Sequence, residues 1–121
     1  MYDMIIRAGR QGNGQLIDIA IQDGKIAALG QLPAAAEAKR TLTLAGQVHV
    51  SAGWIDGHTP CYPASPIYQD EPDKVGVESG VTTVIDAGST GADDVDAFQR
   101  LAAGCKTRVH ALLNISRIGL L

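Results

Sequence analysis

The sequence predicts an α/β protein, with a β-rich segment at residues 1–50 and alternating strands and helices in residues 51–121. Residues 17–21 alternate isoleucine with Asp18 and Ala20, which is the period of two typical of a half-buried strand. From residue 53 onward, short apolar runs alternate with helical patterns. This order is typical of β/α units that build a parallel sheet.

The first segment begins with a predicted strand at residues 2–7. A second strand is predicted at 16–22 and a third at 25–29, and Asp23-Gly24 separates them. Because a type I′ turn requires a positive φ at both central residues, Asp-Gly between two apolar runs predicts a two-residue hairpin.

The rest of the first segment is predicted as turns and short strands. Residues 10–14 are rich in glycine but lead into a strand and not a helix, so they are interpreted as a turn and not as a phosphate loop. Residues 33–39 are compatible with one helical turn or with a connector. Short strands are expected at 41–44 and 48–50, around a turn at Ala45-Gly46-Gln47.

Helix punctuation supports the β/α pattern of the second segment. Pro72 suits the first turn of a helix and Gly80 suits its exit, while Asp93 and Asp94 complement the dipole of a second helix. The predicted elements are strand 53–57, helix 72–79, strand 81–85, helix 92–103 and strand 109–113.

Two of these elements carry a burial prediction. Residues 81–85 are all β-branched, as expected of a strand buried on both faces. The second helix is expected to bury one face, formed by Val95, Phe98, Leu101 and Ala102.

Composition excludes several classes of function. The chain has 121 residues and a formal net charge of -3, and its ten Lys and Arg residues are scattered, so no nucleic-acid footprint is expected. No apolar run approaches the roughly 20 residues that cross a bilayer, and no signal peptide is recognisable. We therefore expect a cytoplasmic protein without nucleic-acid or membrane partners, in which Cys61 and Cys105 are free thiols.

Polar side chains stand where the predicted parallel strands end. In (β/α)₈ barrels, which need roughly 250 residues, the chemistry lies at the carboxyl ends of the strands. These positions are His58, then Asp86 to Gly88, then Asn114. The chain stops soon after the third strand, so it is expected to be the first part of a truncated barrel.

Three motifs carry a resemblance to a known family. They are AGWIDGHTPC followed by Tyr at 52–62, GVTTVIDAG at 80–88 and LNIS at 113–116. In this order and spacing the chain resembles the N-terminal portion of an amidohydrolase-superfamily enzyme, close to the dihydroorotase-like and deacetylase-like metallohydrolases.

The resemblance implies a fold and a reaction. Residues 1–50 would belong to a small composite β-sandwich, and residues 51–121 would supply strands 1 to 3 of a TIM-like (β/α)₈ barrel. A divalent metal, most often zinc, would generate hydroxide that attacks a C–N or amide bond of a small cyclic amide or N-acyl substrate. A homo-oligomer is compatible with this class.

The same resemblance exposes a departure at one metal position. The first barrel strand of the family supplies a His-x-His pair, and His58 matches the first histidine. Pro60 replaces the second and offers neither a ligand atom nor an N–H. The family's other ligands, a carboxylated lysine, two histidines and an aspartate, have no matching positions, so this chain alone is expected to be inactive.

Three of the remaining polar residues have both a functional and a structural interpretation. Asp56 would either join the metal face or serve as a structural hydrogen-bonding group. Asp86 and Asn114 would support the ligands, contact substrate or simply cap a helix or turn. His49 and His110 match no motif, and Cys61 lacks an activating base.

Two alternative functions stay open at this point. Pro60 is compatible with a non-catalytic, metallohydrolase-like scaffold that has lost its metal site and serves in assembly or regulation. An autonomous β-rich binding domain would account for residues 1–50 but leaves the β/α pattern without a purpose.

Overall fold

The computed structural model describes residues 1–120 and divides into two compact units, Met1–Ala52 and a second that begins at Gly53. The first unit is a single mixed sheet. Its strands are β1 (Tyr2–Arg10), β2 (Leu16–Gln22), β3 (Lys25–Gly30) and β4 (Ala38–Thr43), in the spatial order β3-β2-β1-β4. Only β4 runs parallel to its neighbour, β1.

The hairpin between β2 and β3 is confirmed. Gln22 pairs with Lys25, which leaves Asp23 and Gly24 as the two loop residues, with φ of 52° and 70°. Both values are positive, as a type I′ turn requires. The predicted turns at 10–14 and at Ala45-Gly46 are also present, the first with Gly14 at φ 84°.

The other expectations for the first unit have mixed outcomes. Residues 33–36 form a turn, and β4 begins at Ala38. The strand begins there because Ala38 pairs with Tyr2 at the start of β1, in parallel orientation. The strand expected at 48–50 reduces to one isolated bridge between Arg10 and His49. The expected β-sandwich stays a prediction, since the described unit contains one sheet.

Asp18 organises the irregular middle of β1. A bulge there places Ala8 at φ 53°, and the Ala8 N–H donates to the Asp18 carboxylate at 2.8 Å. The same carboxylate accepts the Leu32 N–H at 3.2 Å and pairs with Arg7 at 2.9 Å. The Ala8 hydrogen bond holds the pKa of Asp18 below its usual value.

The second unit contains a three-stranded parallel sheet. Its strands β5 (Trp54–Asp56), β6 (Val81–Ala87) and β7 (Arg108–Leu112) lie side by side in sequence order. Helices α1 (Pro72–Val75) and α2 (Val95–Ala103) connect them, together with a short 3₁₀ helix at Val77–Ser79. No helix among residues 1–120 combines the length and the apolar character that crossing a bilayer requires.

The core of this unit lies between the sheet and its helices. Val84 and Phe98 are buried, and the Tyr62 and Phe98 rings lie 5.2 Å apart between centroids. The predicted buried face of α2 is confirmed, since Val95, Leu101 and Ala102 are partly buried beside Phe98. Strand β6 is not fully buried on both faces as expected: Val84 and Asp86 on one face are fully buried, whereas Thr83 and Ile85 on the other face are only partly buried.

The predicted helix at 72–79 is interrupted at Gly76. A Cβ on Gly76 would overlap the Thr107 hydroxyl oxygen, and the Val77 N–H donates to that oxygen at 3.1 Å. This close tertiary contact replaces continued helix with a 3₁₀ turn. The exit at Gly80 is confirmed by its φ of 82°.

Helix α2 begins later than the predicted residue 92. The Asp94 and Val95 N–H groups bond to the Gly91 carbonyl as a turn, and the Asp93 N–H donates to the Arg117 carbonyl. Asp93 is therefore held by the segment after β7, and Asp94 is the N-cap residue whose carbonyl accepts the Phe98 N–H.

The two loop glycines Gly24 and Gly12 offer a matched test of the hairpin. A Cβ would meet nothing within 4 Å at either position, but only Gly24 has a positive φ, of 70°. We expect Gly24→Ala to lower the free energy of unfolding by about 1 kcal/mol through left-handed strain. Gly12→Ala should be neutral or slightly stabilising. Denaturant unfolding of both variants checks this, and equal effects would contradict the turn assignment.

Candidate active site

The carboxyl ends of β5, β6 and β7 meet at one edge of the parallel sheet. Three segments leave this edge: 57–61 after β5, 88–91 after β6 and 113–116 after β7. His58 and Asn114 lie in these segments as expected. Asp86 differs from the expectation, because β6 extends to Ala87 and so includes it.

The segment after β5 continues beside β6 although it is not a regular strand. The Thr59 N–H donates to the Ile85 carbonyl at 2.9 Å, and the Cys61 N–H donates to the Asp86 carboxylate at 2.8 Å. Burial alternates along the segment: His58 is exposed, Thr59 buried, Pro60 half-buried and Cys61 buried. His58 is therefore the most exposed residue of this part of the segment.

Asp86 is the fully buried carboxylate of this edge. Its Oδ2 accepts the Cys61 N–H at 2.8 Å, and its Oδ1 accepts the Ser89 N–H at 2.7 Å. One side chain thus fixes the segments that follow both β5 and β6. Because both oxygens are engaged by main-chain donors, Asp86 acts here as a structural acceptor.

Asn114 joins the segments that follow β6 and β7. Its Nδ2 donates to the Gly88 carbonyl at 2.9 Å, and its backbone N–H donates to the Thr90 carbonyl at 2.9 Å. Its Oδ1 accepts the Ser116 N–H at 2.9 Å. The turn-capping interpretation of Asn114 therefore has direct support.

Asp56 also makes a local structural hydrogen bond. Its Oδ1 accepts the His58 N–H at 3.0 Å, and this bond lowers the pKa of Asp56. The carboxylate is exposed and close to the backbone of His58. This geometry favours the structural alternative for Asp56 over a place on the metal face.

The residues at this edge do not complete a metal site. His58 presents one exposed imidazole, and Pro60 has no ligand atom. Among residues 1–120, no group of three or more His, Cys, Asp or Glu side chains is placed to hold a metal ion. The divalent metal that the resemblance implies therefore does not fit the side chains of this part of the chain alone.

Cys61 is unsuited to nucleophilic chemistry. Burial, together with the nearby Asp86 carboxylate, raises the pKa of its thiol to about 12. A thiol with such a pKa stays protonated near neutral pH and is a poor nucleophile. The other two histidines lie elsewhere, with His110 exposed in β7 and His49 in the first unit.

Three hydroxyl groups at this edge were not singled out by the sequence. Thr59, Ser89 and Thr90 are buried, and their hydroxyl oxygens have no hydrogen-bond partner within the described structure. A small polar residue after a strand is too common to be recognised as buried from sequence. A cleft of about 640 Å³ lies at the opposite end of the sheet, beside Thr82 and Arg108, and is separate from this edge.

A parallel sheet with polar groups converging at its carboxyl edge is the arrangement of β/α-barrel enzymes. The chain is 46% identical to a deacetylase of Enterococcus faecalis over 98% of its own length. It superposes on the crystal structure of an adenine deaminase with a TM-score of 0.87 and 46% identity, covering 99% of the chain and 32% of that protein. A dihydroorotase structure gives 0.85 and 32% identity, covering 97% of the chain and 32% of the dihydroorotase.

The chain belongs to the amidohydrolase superfamily and corresponds to its N-terminal portion. It spans about a third of the length of the deacetylase, at 32%. No protein-family profile matches it. The TIM-barrel class of the structural relatives agrees with the parallel β/α unit described above.

The two cysteines provide a test of this edge. Burial raises the pKa of both thiols, but Cys61 is fully buried whereas Cys105 is only half-buried. We expect iodoacetamide at pH 8 to label Cys105 well before Cys61, because thiolate and access are both needed. Mass spectrometry of the peptides reads the order. Denaturant should equalise the two rates, and rapid native labelling of Cys61 would contradict the described packing.

Proposed function

We propose that this chain forms the N-terminal part of a hydrolase that cleaves C–N bonds in small molecules. The observation that carries the proposal is His58, presented at the carboxyl edge of a parallel sheet in a chain whose relatives include a deacetylase and a dihydroorotase. In this architecture the carboxyl edge is where substrates bind.

The proposed substrate is a cyclic amide or an N-acyl compound. Dihydroorotase, adenine deaminase and deacetylase are the names that the relatives carry. A cyclic-amide hydrolase and a deaminase share one step, in which water attacks the carbon of an amide or an amidine. Attack on such a carbon gains from a divalent metal that activates water, and zinc is the metal we propose for the whole enzyme.

The domain arrangement is part of the same proposal. Residues 1–50 would join a composite β-sandwich, and residues 51–121 would begin the barrel with strands 1 to 3. His58 would be the contribution of this chain to the metal centre, with Asp56, Asp86 and Asn114 supporting the segments around it. Since the described carboxyl edge supplies one imidazole only, we propose that the 121-residue chain has no hydrolase activity by itself.

A non-catalytic scaffold is the second candidate. Pro60 favours it, because proline cannot bind a metal and stands two residues after His58, where the resemblance implies a second histidine ligand. Sequence that accompanies this chain in its reading frame separates the two candidates. Lysine, histidine and aspartate ligands there would favour the hydrolase, whereas their replacement would favour the scaffold.

Activity of the longest product of the reading frame tests the hydrolase. We expect it to hydrolyse members of a panel of cyclic amides and N-acyl amino acids in the presence of Zn²⁺. His58→Ala should lower kcat/KM by at least about 100-fold, because losing a ligand should cost no less than losing a group that supports one. Steady-state kinetics and metal analysis are the measurements.

His110→Ala is the matched control, since it removes an exposed histidine from β7 without touching the carboxyl edge. It should leave kcat/KM unchanged. A product that binds no metal and hydrolyses nothing would contradict the hydrolase and support the scaffold. Hydrolysis that survives His58→Ala would contradict the role of His58.

A further inference from the structure

We propose that copies of this chain associate head to tail, with Trp54 of one copy inserted into a groove between α2 and β7 of the next. Strand β5 of the first copy pairs with the free edge of β7 in the second. The partner is therefore a second copy of the same chain. All the residues involved belong to the second unit, and the association does not require hydrolase activity.

The parallel sheet of the second unit has two unpaired edges. In the part of the chain that the structure describes, the strand order is β5-β6-β7, so β5 and β7 each have a hydrogen-bonded neighbour on one side only. An unpaired edge presents N–H and C=O groups to any strand that can add to it. All three strands run in the same direction. A β5 strand from a second copy would therefore continue the sheet beyond β7 in the same parallel orientation.

Both edges expose large apolar side chains. Trp54 and Ile55 in β5 are 68% and 67% exposed. On the other edge, Leu112 in β7 and Leu113 after it are each more than half exposed. Parallel sheets ordinarily have both faces covered, because their strands are apolar on both sides. Apolar clusters at the two complementary edges of one sheet therefore mark an interaction surface.

The strand register places the Trp54 side chain on the helix side of the sheet. Trp54 pairs with Val81, which packs against the buried cluster between the sheet and its helices. Two residues further along β5, Asp56 pairs with Val84, a member of that cluster. Residues that pair across neighbouring strands lie on the same face. The exposed indole therefore lies on the face that α2 covers elsewhere in the sheet.

A groove of about 230 Å³ lies on the same face, at the β7 edge. Its apolar lining residues come from one face of α2 and from β7 and the residue after it, and they are Val95, Phe98, Ala102, Val109, Ala111 and Leu113. The groove is large enough for an indole ring, and aromatic side chains that fill a pocket are typical anchors of protein interfaces. A β5 strand added to β7 would carry its Trp54 on the side where this groove lies.

The area of this contact is sufficient for weak but specific association. A large aromatic side chain buries about 150 to 250 Å² by itself. With the other exposed apolar side chains and the paired backbones, the junction would bury on the order of 1,000 Å² in total, at the lower end of specific interfaces. Because the two surfaces are different patches of one chain, each copy keeps one surface free for a further copy. The products are therefore rings or open chains and not only dimers.

The fluorescence of Trp54 tests the contact directly, because it is the one tryptophan of the chain. We expect its emission to shift to the blue, and acrylamide quenching to weaken, as the 121-residue chain is concentrated from about 1 μM to 1 mM, the range expected of an interface of this size. Sedimentation velocity should show larger species over the same range. Quenching that is equally strong throughout would overturn the inference. A Trp54 that is shielded in the monomer would also overturn it, because its own chain would then cover the indole.

Two single variants test the direction of the contact. Trp54→Lys removes the anchor, and Ala111→Lys places a charge in the groove from an exposed position in β7. Each should weaken self-association at least about 30-fold, the loss typical of an interface hot spot. An equimolar mixture should form a 1:1 dimer and nothing larger, because Trp54 of one variant still meets the open groove of the other. A mixture that stays monomeric would overturn the head-to-tail contact.

Ile26→Lys is the matched control, because Ile26 is an exposed apolar residue of β3 in the sheet of the first unit. It should leave association unchanged. Loss of association in this variant, with Trp54→Lys unaffected, would assign the contact to the first unit and overturn the inference. Circular dichroism checks that each variant is folded. Where Ala111→Lys is not folded, Leu113→Lys blocks the same groove from an exposed position after β7.

Discussion

The two hydrogen bonds of the buried Asp86 carboxylate are the contacts on which the candidate site depends. They connect β6 to Cys61 on one side and to Ser89 on the other. A carboxylate without solvent is stable only when its oxygens are satisfied, and main-chain N–H groups do so here at 2.7 and 2.8 Å. The segment that carries His58 is therefore fixed to the sheet by hydrogen bonds, although residues 57–61 are not regular strand.

The packing beneath this edge determines which side chains of the segment are exposed. Cys61 belongs to the buried cluster in which Tyr62 and Phe98 contact each other, whereas His58 is exposed. Burial in the core therefore makes Cys61 inaccessible to a ligand and leaves His58 accessible. Asn114 extends the same principle to the third segment by bonding to the Gly88 carbonyl. Three segments that are distant in sequence become one surface through backbone hydrogen bonds.

At Pro60 the chain has the fold of the superfamily but lacks a side chain that could bind a metal. The relatives and the motifs place the chain in the amidohydrolase superfamily. The described side chains nevertheless form no group of three or more His, Cys, Asp or Glu residues placed to hold a metal ion, and His58 is the one imidazole at this edge. Hydrogen bonding and packing preserve a backbone independently of whether its side chains still perform chemistry, which is why both the hydrolase and the scaffold agree with the same fold.

The sequence by itself determined the features that depend on local residue chemistry. The Asp23-Gly24 hairpin, the exit at Gly80 and the buried face of α2 follow from φ preferences and periodicity, and the structure contains them. The superfamily was recognised separately, through the resemblance of three motifs to known members.

Only the tertiary structure decided the features that depend on residues distant in the chain. The break at Gly76 arises from contact with Thr107, and the late start of α2 arises from a bond to Arg117. The structural use of Asp86, which a sequence can equally interpret as a substrate contact, required the positions of Cys61 and Ser89. Such contacts are invisible to periodicity, because the energy of a buried polar group is set by partners that folding alone brings within hydrogen-bond reach.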